Sequence, residues 1–163
     1  MKNYKKIIFA LCSLSYCIVI GGAVYEHLAV IPQWTSALPV SLSMFQGEYG
    51  LNPEPFWANV HIVSLLLFVI TLIFFWKTQA RVNILGSLII YFAILVITSI
   101  YFVPELMQLT ATPFATAMDE SLTERAKLWE TLSIARLFII MGAAIYLFLG
   151  LTKSETKTDD VTT

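Results

Sequence analysis

Four long apolar segments separated by shorter polar ones dominate the chain. They run from about Ile7 to Val30, Phe56 to Trp76, Val82 to Val103 and Leu128 to Leu151. Each is close to the ~20 residues needed to cross the hydrocarbon core of a bilayer, where a helix satisfies all its backbone hydrogen bonds internally. The pattern predicts an all-α membrane protein, a bundle of four transmembrane helices running up, down, up and down.

The connections refine this arrangement. The link of residues 77–81 is short, so the second and third helices should be antiparallel neighbours. Residues 32–50 contain Pro, Ser and Gly and are interpreted as a loop on the mouth of the bundle, with room for a short interfacial helix. Asn52-Pro53 and Ser121 to Glu124 have the patterns of helix N-termini, so the second and fourth helices should begin before the membrane.

The distribution of positive charge predicts the orientation. With a cytoplasmic N-terminus, the inner segments hold seven lysine and arginine residues and the outer segments hold two. The inner residues are Lys2, Lys5, Lys6, Lys77, Arg81, Lys153 and Lys157, and the outer ones are Arg125 and Lys127. The positive-inside rule therefore predicts a multi-pass cell-membrane protein with both termini cytoplasmic. Residues 1–152 would form the membrane domain and residues 153–163 a polar cytoplasmic tail.

Composition agrees with a membrane location. The chain has 163 residues, of which 58% are hydrophobic and 13% charged. The formal net charge of −1 gives no basic footprint for nucleic acid, so the expected partner is the lipid bilayer. The sequence leaves a homo-oligomer open.

Landmarks of the first half of the chain recur 72 residues later. The corresponding pairs are Pro32 and Pro104, Trp57 and Trp129, Lys5 and Lys77, and Arg81 and Lys153. In each half, these residues provide a positive charge on the cytoplasmic side, a proline at the outer end of the first helix, and a tryptophan where the second helix enters the membrane. This pattern is typical of two parallel helical hairpins related by an axis along the membrane normal.

Ionisable residues cluster near the predicted outer end of the apolar segments. Glu26 and His27 lie about six residues before Pro32, roughly 9 Å along a helix. His61 lies early in the second segment, Glu105 follows Pro104, and Arg136 lies about eight residues into the fourth segment. Because ionisable groups are costly in a membrane, such a layer suggests a functional site.

Each of these residues also has a structural interpretation. Glu26 and Arg136 would pair across the bundle, His27 would sit in headgroup water, and His61 would bond a backbone carbonyl or a loop. Trp34, Trp57 and Trp129 would be interfacial anchors, and Tyr91 a helix-packing residue.

The functional interpretation takes the layer as a pocket in the outer leaflet. The ligand-binding candidates are Glu26, His27, His61, Trp129 and Arg136, and the secondary candidates are Trp34, Trp57, Tyr91 and Glu105. Histidine or arginine would hold the oxygens of a quinone or polyphenol. Alternatively, His27 and His61 would be the metal ligands of a haem, because they lie at similar depth on antiparallel neighbours. Catalytic residues are not indicated.

The order of landmarks resembles the DUF1772 family of anthrone oxygenase-like membrane proteins. The resemblance rests on Gly21 or Gly22 followed by Pro32, on Pro104, and on Trp129 through Arg136. It implies a four-span bundle, and some fungal members of the family oxidise anthrones to anthraquinones. Glu105 and Ser133 stand where those oxygenases often carry Asn, and Asn or His, respectively.

Two classes of function follow from the sequence. The first is an oxidoreductase-like or oxygenase-like membrane protein that binds a quinone, a polyphenol or a haem. The second is a non-catalytic membrane subunit or small transporter, in which the polar layer only fixes the register of the helices. The identity of the ligand and the distinction between enzyme, transporter and subunit do not follow from the residues.

The charge distribution makes a direct prediction of topology. Reporter fusions after Lys77 and after Thr163 should be cytoplasmic, and one near Gly50 should be external. Alkaline phosphatase and a fluorescent protein that matures only in the cytoplasm give complementary readings of each position. An external reading after Lys77 would reverse the orientation.

Overall fold

Four long helices account for most of the protein. The computed structural model describes residues 3–153, and no strand occurs in that range. The helices are α1 (Asn3–Trp34), α2 (Glu54–Phe75), α3 (Ala80–Thr110) and α4 (Glu120–Thr152). All four are long and apolar enough to cross a membrane, so the predicted all-α bundle of four membrane helices is confirmed.

The helices form two antiparallel hairpins set side by side. α1 packs against α2 and α4, and α3 packs against α4 and α2. The long connections 35–53 and 111–119 lie at one end of the bundle, here named the loop end. The opposite end, the terminal end, carries residue 3, the link 76–79 and Lys153. The rest of the predicted tail, residues 154–163, lies outside the described residues.

The helices begin somewhat differently from the sequence patterns. α4 starts at Glu120, and its N-cap is Asp119 rather than Ser121. The Asp119 carboxylate accepts from the Leu122 amide at 3.1 Å and the Ser121 hydroxyl at 2.8 Å, and these bonds hold its pKa below the usual value. At the start of α2 the Asn52 side chain accepts from the Glu54 amide at 3.1 Å, with Pro53 between them.

Pro32 does not end the first helix, contrary to expectation. A π-helical segment, Glu26–Val30, precedes it, and the helix then continues from Ile31 to Trp34. Proline lacks an amide hydrogen, and its ring crowds the carbonyl of the preceding turn. The wider π turn absorbs this disruption, so the helix passes the proline without stopping.

The same device recurs in the second hairpin. α3 contains a π segment, Thr98–Phe102, directly before the stretch that holds Pro104, and this segment lies 72 residues after the first one. Burial recurs with the same offset. The pairs buried in both halves are Cys12 and Ile84, Ser15 and Ser87, Val19 and Tyr91, Phe68 and Ile140, Thr71 and Ala143, and Phe75 and Leu147. The repeat read from the sequence is therefore also present in helix geometry and packing.

Two apolar clusters fill the bundle. The central cluster includes Phe9, Tyr16, Phe68, Tyr91 and Leu147. The loop-end cluster comprises Ile31, Trp34, Leu38, Leu42, Phe102, Leu109, Ala126 and Trp129. Along α1 and α4, Glu26 and Arg136 lie between the residues of the two clusters, so apolar packing lies on both sides of these two members of the predicted polar layer.

The connection after α1 closes the loop end. It contains the short 3-10 helix Val40–Phe45, and its Leu38 and Leu42 side chains are fully buried. The Leu38 amide donates to Thr123 of α4 at 3.1 Å, and the Leu38 carbonyl accepts from the Asp119 amide at 2.7 Å. The loop of the first hairpin is thus fastened to the second hairpin.

Gly150 permits a close approach of α4 to α3. A Cβ atom at this position would lie 2.9 Å from Asn83 Cβ, whereas one at Gly142 would meet no atom within 4 Å. Asn83 Nδ2 also donates to the Tyr146 carbonyl at 2.8 Å, which joins the two helices.

We expect Gly150→Ala to destabilise the protein by about 1–3 kcal/mol, because Asn83 must shift. Gly142→Ala is the matched control and should stabilise by up to about 1 kcal/mol through helix propensity. Denaturant titration in detergent micelles measures both. Equal effects of the two substitutions would contradict the close packing.

Candidate functional site

The Glu26 side chain is held by a tryptophan of the neighbouring helix. Glu26 is the first residue of the π segment in α1, and its Oε1 atom accepts from Trp57 Nε1 on α2 at 2.8 Å. Gly22, one turn earlier, makes room for this contact, since a Cβ atom there would lie 2.7 Å from Phe56 Cε1. The close approach of α1 and α2 at Gly22 therefore brings Trp57 within reach of the carboxylate.

His61 continues this set of contacts across the bundle. Its ring stacks on Trp57, with centroids 5.3 Å apart and planes 24° apart. Its Nδ1 atom lies 2.7 Å from the hydroxyl oxygen of Tyr91 on α3. Tyr91 is fully buried and packs on Tyr16, so three helices join in one chain of polar and aromatic contacts.

His27 has a defined tautomer. Its Nδ1 atom lies 2.6 Å from the Ala23 carbonyl oxygen, which can only accept, so Nδ1 carries the hydrogen. The lone pair of the neutral imidazole form would therefore be on Nε2. This atom is buried without a hydrogen-bond partner in the described part of the chain.

Arg136 is bound by hydroxyl groups. Its Nη1 and Nη2 atoms donate to Thr98 Oγ1 and Ser133 Oγ, each at 2.9 Å. The guanidinium carbon also lies 4.1 Å from the centroid of the Phe102 ring, a cation–π contact. Thr98 is the first residue of the π segment in α3, as Glu26 is in α1.

Glu26 and Arg136 do not form the direct ion pair that the structural interpretation expected. The carboxylate is bound by an indole and the guanidinium by two hydroxyls. Each nevertheless lies within electrostatic range of the other, and His61 also lies within range of Arg136. Glu26, His61 and Arg136 thus share one polar layer, and each keeps partial exposure.

The layer is asymmetric in charge although its backbone positions repeat. The offset of 72 relates Glu26 to Thr98, His61 to Ser133, and Ser64 to Arg136. The first hairpin supplies the carboxylate and the imidazole, whereas the second supplies the guanidinium. Thr98, Ser133 and Ser64 are not among the site residues predicted from the sequence, although the repeat marks them as the counterparts of Glu26, His61 and Arg136.

Two of the predicted interfacial tryptophans are core residues. Trp34 and Trp129 are 2% and 5% exposed, and their rings contact each other at 5.5 Å. Trp129 Nε1 donates at 2.9 Å to the carbonyl oxygen of Phe102, which is the last residue of the second π segment. Both residues lie in the loop-end cluster beside the polar layer. Trp57, the third of these tryptophans, is half-buried in the polar layer itself.

Glu105 lies apart from the layer. Its carboxylate pairs with Arg125 at 2.8 Å, and Arg125 also donates to Gln108, all at the surface of the loop end. The arrangement is a solvent-facing ion pair between α3 and α4, which contributes little to stability.

The possible metal ligands of the described residues are the two histidines. Within residues 3–153, no group of three His, Cys, Asp or Glu side chains is close enough to hold a metal ion. His27 and His61 are the residues that could ligate a haem iron. In both residues, Nδ1 lies within hydrogen-bond distance of an oxygen atom. In metal sites, such a hydrogen bond at one ring nitrogen orients the imidazole so that the other nitrogen binds the metal.

Known proteins give no further guide to this site. No family model, curated protein or solved structure matches the chain. The resemblance to the DUF1772 family stays a prediction.

The contact between Trp57 and Glu26 predicts a measurable coupling. In a double-mutant cycle, Trp57→Phe and Glu26→Leu should couple by about 1 kcal/mol in unfolding free energy, because each variant removes one side of the same hydrogen bond. Trp129→Phe is the matched control, since its indole bonds a carbonyl, and it should combine additively with Glu26→Leu. Similar coupling for both tryptophans would show that the indole of Trp57 has no specific role at Glu26.

Proposed function

We propose that this integral membrane protein binds a lipid-soluble aromatic compound with ring oxygens, a quinone or a polyphenol, at the polar layer. The observation that carries the proposal is the separation of Glu26 and Arg136. Opposite charges in an apolar medium gain by pairing, yet each of these is bound by neutral groups of the protein.

Both charged groups keep hydrogen-bonding capacity. A carboxylate accepts about four hydrogen bonds, and Glu26 accepts one from a side chain. A guanidinium has five N–H donors, and Arg136 uses two on side-chain hydroxyls. A quinol or polyphenol would bridge the two, with one ring hydroxyl donating to Glu26 and the oxygen of a second accepting from Arg136, whereas a quinone would accept from Arg136 through a carbonyl oxygen.

His61 and Trp57 supply the remaining chemistry of such a site. Stacked aromatic rings give a planar ligand a surface of matching shape, and the imidazole offers an acceptor or donor for a ring oxygen. The partial exposure of Glu26, His61 and Arg136 allows approach from the lipid between helices. An oxidoreductase-like or oxygenase-like role, as the DUF1772 resemblance implies, fits a ligand of this class.

A haem is the alternative ligand, with His27 and His61 as candidate axial ligands. The purified protein would then show a Soret band, and His27→Ala and His61→Ala should each abolish it. If no chromophore is bound, the quinone or polyphenol hypothesis is the one to test.

The structural alternative has its own support. The bonds from Trp57 to Glu26, from Arg136 to Thr98 and between His61 and Tyr91 all cross between helices, as register-fixing contacts would. A non-catalytic subunit or small transporter would need only these. Such a protein would be stable without a ligand and would bind no quinone.

Ligand binding can be measured with a short-chain ubiquinone analogue and its quinol in nanodiscs. We expect saturable binding that Arg136→Leu weakens at least tenfold, because a hydrogen bond from a charged group contributes about 1.5–3 kcal/mol. Arg136→Lys keeps the charge but loses the planar fork and should weaken binding less.

The surface pair provides matched controls. Arg125→Leu and Glu105→Gln remove the same kinds of group at the same end of the bundle and should leave binding within twofold. Size-exclusion chromatography confirms that each variant is folded. Binding equal to that of empty nanodiscs, or equal losses in Arg136→Leu and Arg125→Leu, would contradict the proposed site.

A further inference from the structure

An open groove lies at the terminal end of the bundle, away from the polar layer. It runs between the first turn of α1 and the end of α2, and its volume is about 520 Å³. The residues that line it are Tyr4, Lys5, Ile73, Phe74, Trp76 and Lys77. Two cations, three aromatic rings and an isoleucine therefore line one surface.

Lys5 is fixed inside the groove. Its Nζ atom donates to the Phe74 carbonyl at 3.2 Å, near the end of α2 where carbonyl groups lack helical partners. This bond uses one of the three N–H donors of the ammonium group. The ring of Tyr4 packs edge-on against Phe74 at 5.7 Å and holds the first turn of α1 in place.

At the equivalent position of the second hairpin the donor to the carbonyl is neutral. The residue equivalent to Phe74 is Tyr146, and its carbonyl accepts from the neutral amide of Asn83 at 2.8 Å. Asn83 is buried, whereas Lys5 lies in an open groove. Tyr146 lies inside α4 and Phe74 at the end of α2, and the additional donor is a buried neutral amide in the second hairpin and an ammonium group in an open groove in the first.

The surroundings of the groove favour an anion. Arg81 lies over the Trp76 ring at 5.5 Å, which adds a third cation near the rim. The sequence segments that build this end, residues 3–12, 73–86 and 147–153, contain no Asp or Glu. Glu155, Asp159 and Asp160 are the nearest acidic residues in sequence and lie outside the described range.

The apolar wall favours a lipid over a free anion. Ile73 is 67% exposed and Trp76 is 51% exposed, and both continue the membrane-facing surface of α2 into the groove. Lysine side chains at this level extend their ammonium groups toward lipid phosphates while their methylene groups cover apolar surface.

We propose that this groove is a binding site for an anionic phospholipid. Lys5 and Lys77 contact the phosphate of the headgroup, and the upper part of one acyl chain lies along Ile73 and Phe74. Tyr4 and Trp76 bracket the headgroup at the membrane interface, the level at which aromatic residues concentrate. The site is separate from the polar layer and does not depend on the function proposed there.

Native mass spectrometry of the full chain can test this proposal with phosphatidylglycerol and phosphatidylcholine of identical acyl chains. A lysine near an anionic lipid contributes roughly fivefold in affinity. We expect Lys5→Gln with Lys77→Gln to lower retention of phosphatidylglycerol by about twentyfold and to leave phosphatidylcholine unchanged. Glutamine keeps an N–H donor for the Phe74 carbonyl, and Lys5→Arg with Lys77→Arg should retain the lipid.

Lys153→Gln is the matched control, because Lys153 is a cation at the same end that does not line the groove. It should change retention less than twofold. An equal loss in this variant would show that the general surface charge, and not the groove, attracts the lipid.

Two further outcomes would overturn the proposal. Displacement of the lipid by inorganic phosphate at similar concentration would identify a site for free anions. A large gain in lipid retention in the combined variant Glu155→Gln, Asp159→Asn and Asp160→Asn would show that these acidic residues compete with the lipid, and would identify them as the natural occupant of the groove.

Discussion

A proline inside a membrane-spanning helix removes a backbone donor that lipid cannot replace, and this constraint organises the protein. Both Pro32 and Pro104 follow a π segment, and neither stops its helix. The wider turn changes the direction of the side chains at its start. Those side chains are Glu26 and Thr98, which contact Trp57 and Arg136. The position of the polar layer therefore follows from how the backbone accommodates proline.

The layer also shows how opposite charges can be kept apart in an apolar bundle. An unpaired charge in a membrane interior costs several kcal/mol, so Glu26 and Arg136 each need hydrogen bonds. The indole and the two hydroxyls provide them from neutral groups. Apolar clusters lie above and below the layer, and the fastened loop closes one end of the bundle. Packing thus preserves an arrangement that electrostatics alone would collapse into a salt bridge.

Much of the fold could be predicted from the sequence, because membrane helices obey strong constraints on length and polarity. The number of helices and their all-α class follow from hydropathy, and the repeat follows from the spacing of Pro32 and Pro104. The partners within the site could not be predicted in the same way. A periodic pattern places Glu26 and Arg136 at one depth, but it does not show that an indole reaches one and a threonine the other. The burial of Trp34 and Trp129 does not follow from the sequence for a related reason, since the loop that covers them has no hydrophobic periodicity.

The internal repeat has an evolutionary consequence. Two identical hairpins associated about a twofold axis would place the same residue at both equivalent positions, so every carboxylate would be accompanied by a second carboxylate at the same depth. Here Glu26 is matched by Thr98, and Arg136 by Ser64. Such a division requires that the two copies be encoded separately, as they are when joined in a single chain. Covalent duplication thus releases each half from symmetry, and one membrane bundle can acquire an acidic half and a basic half.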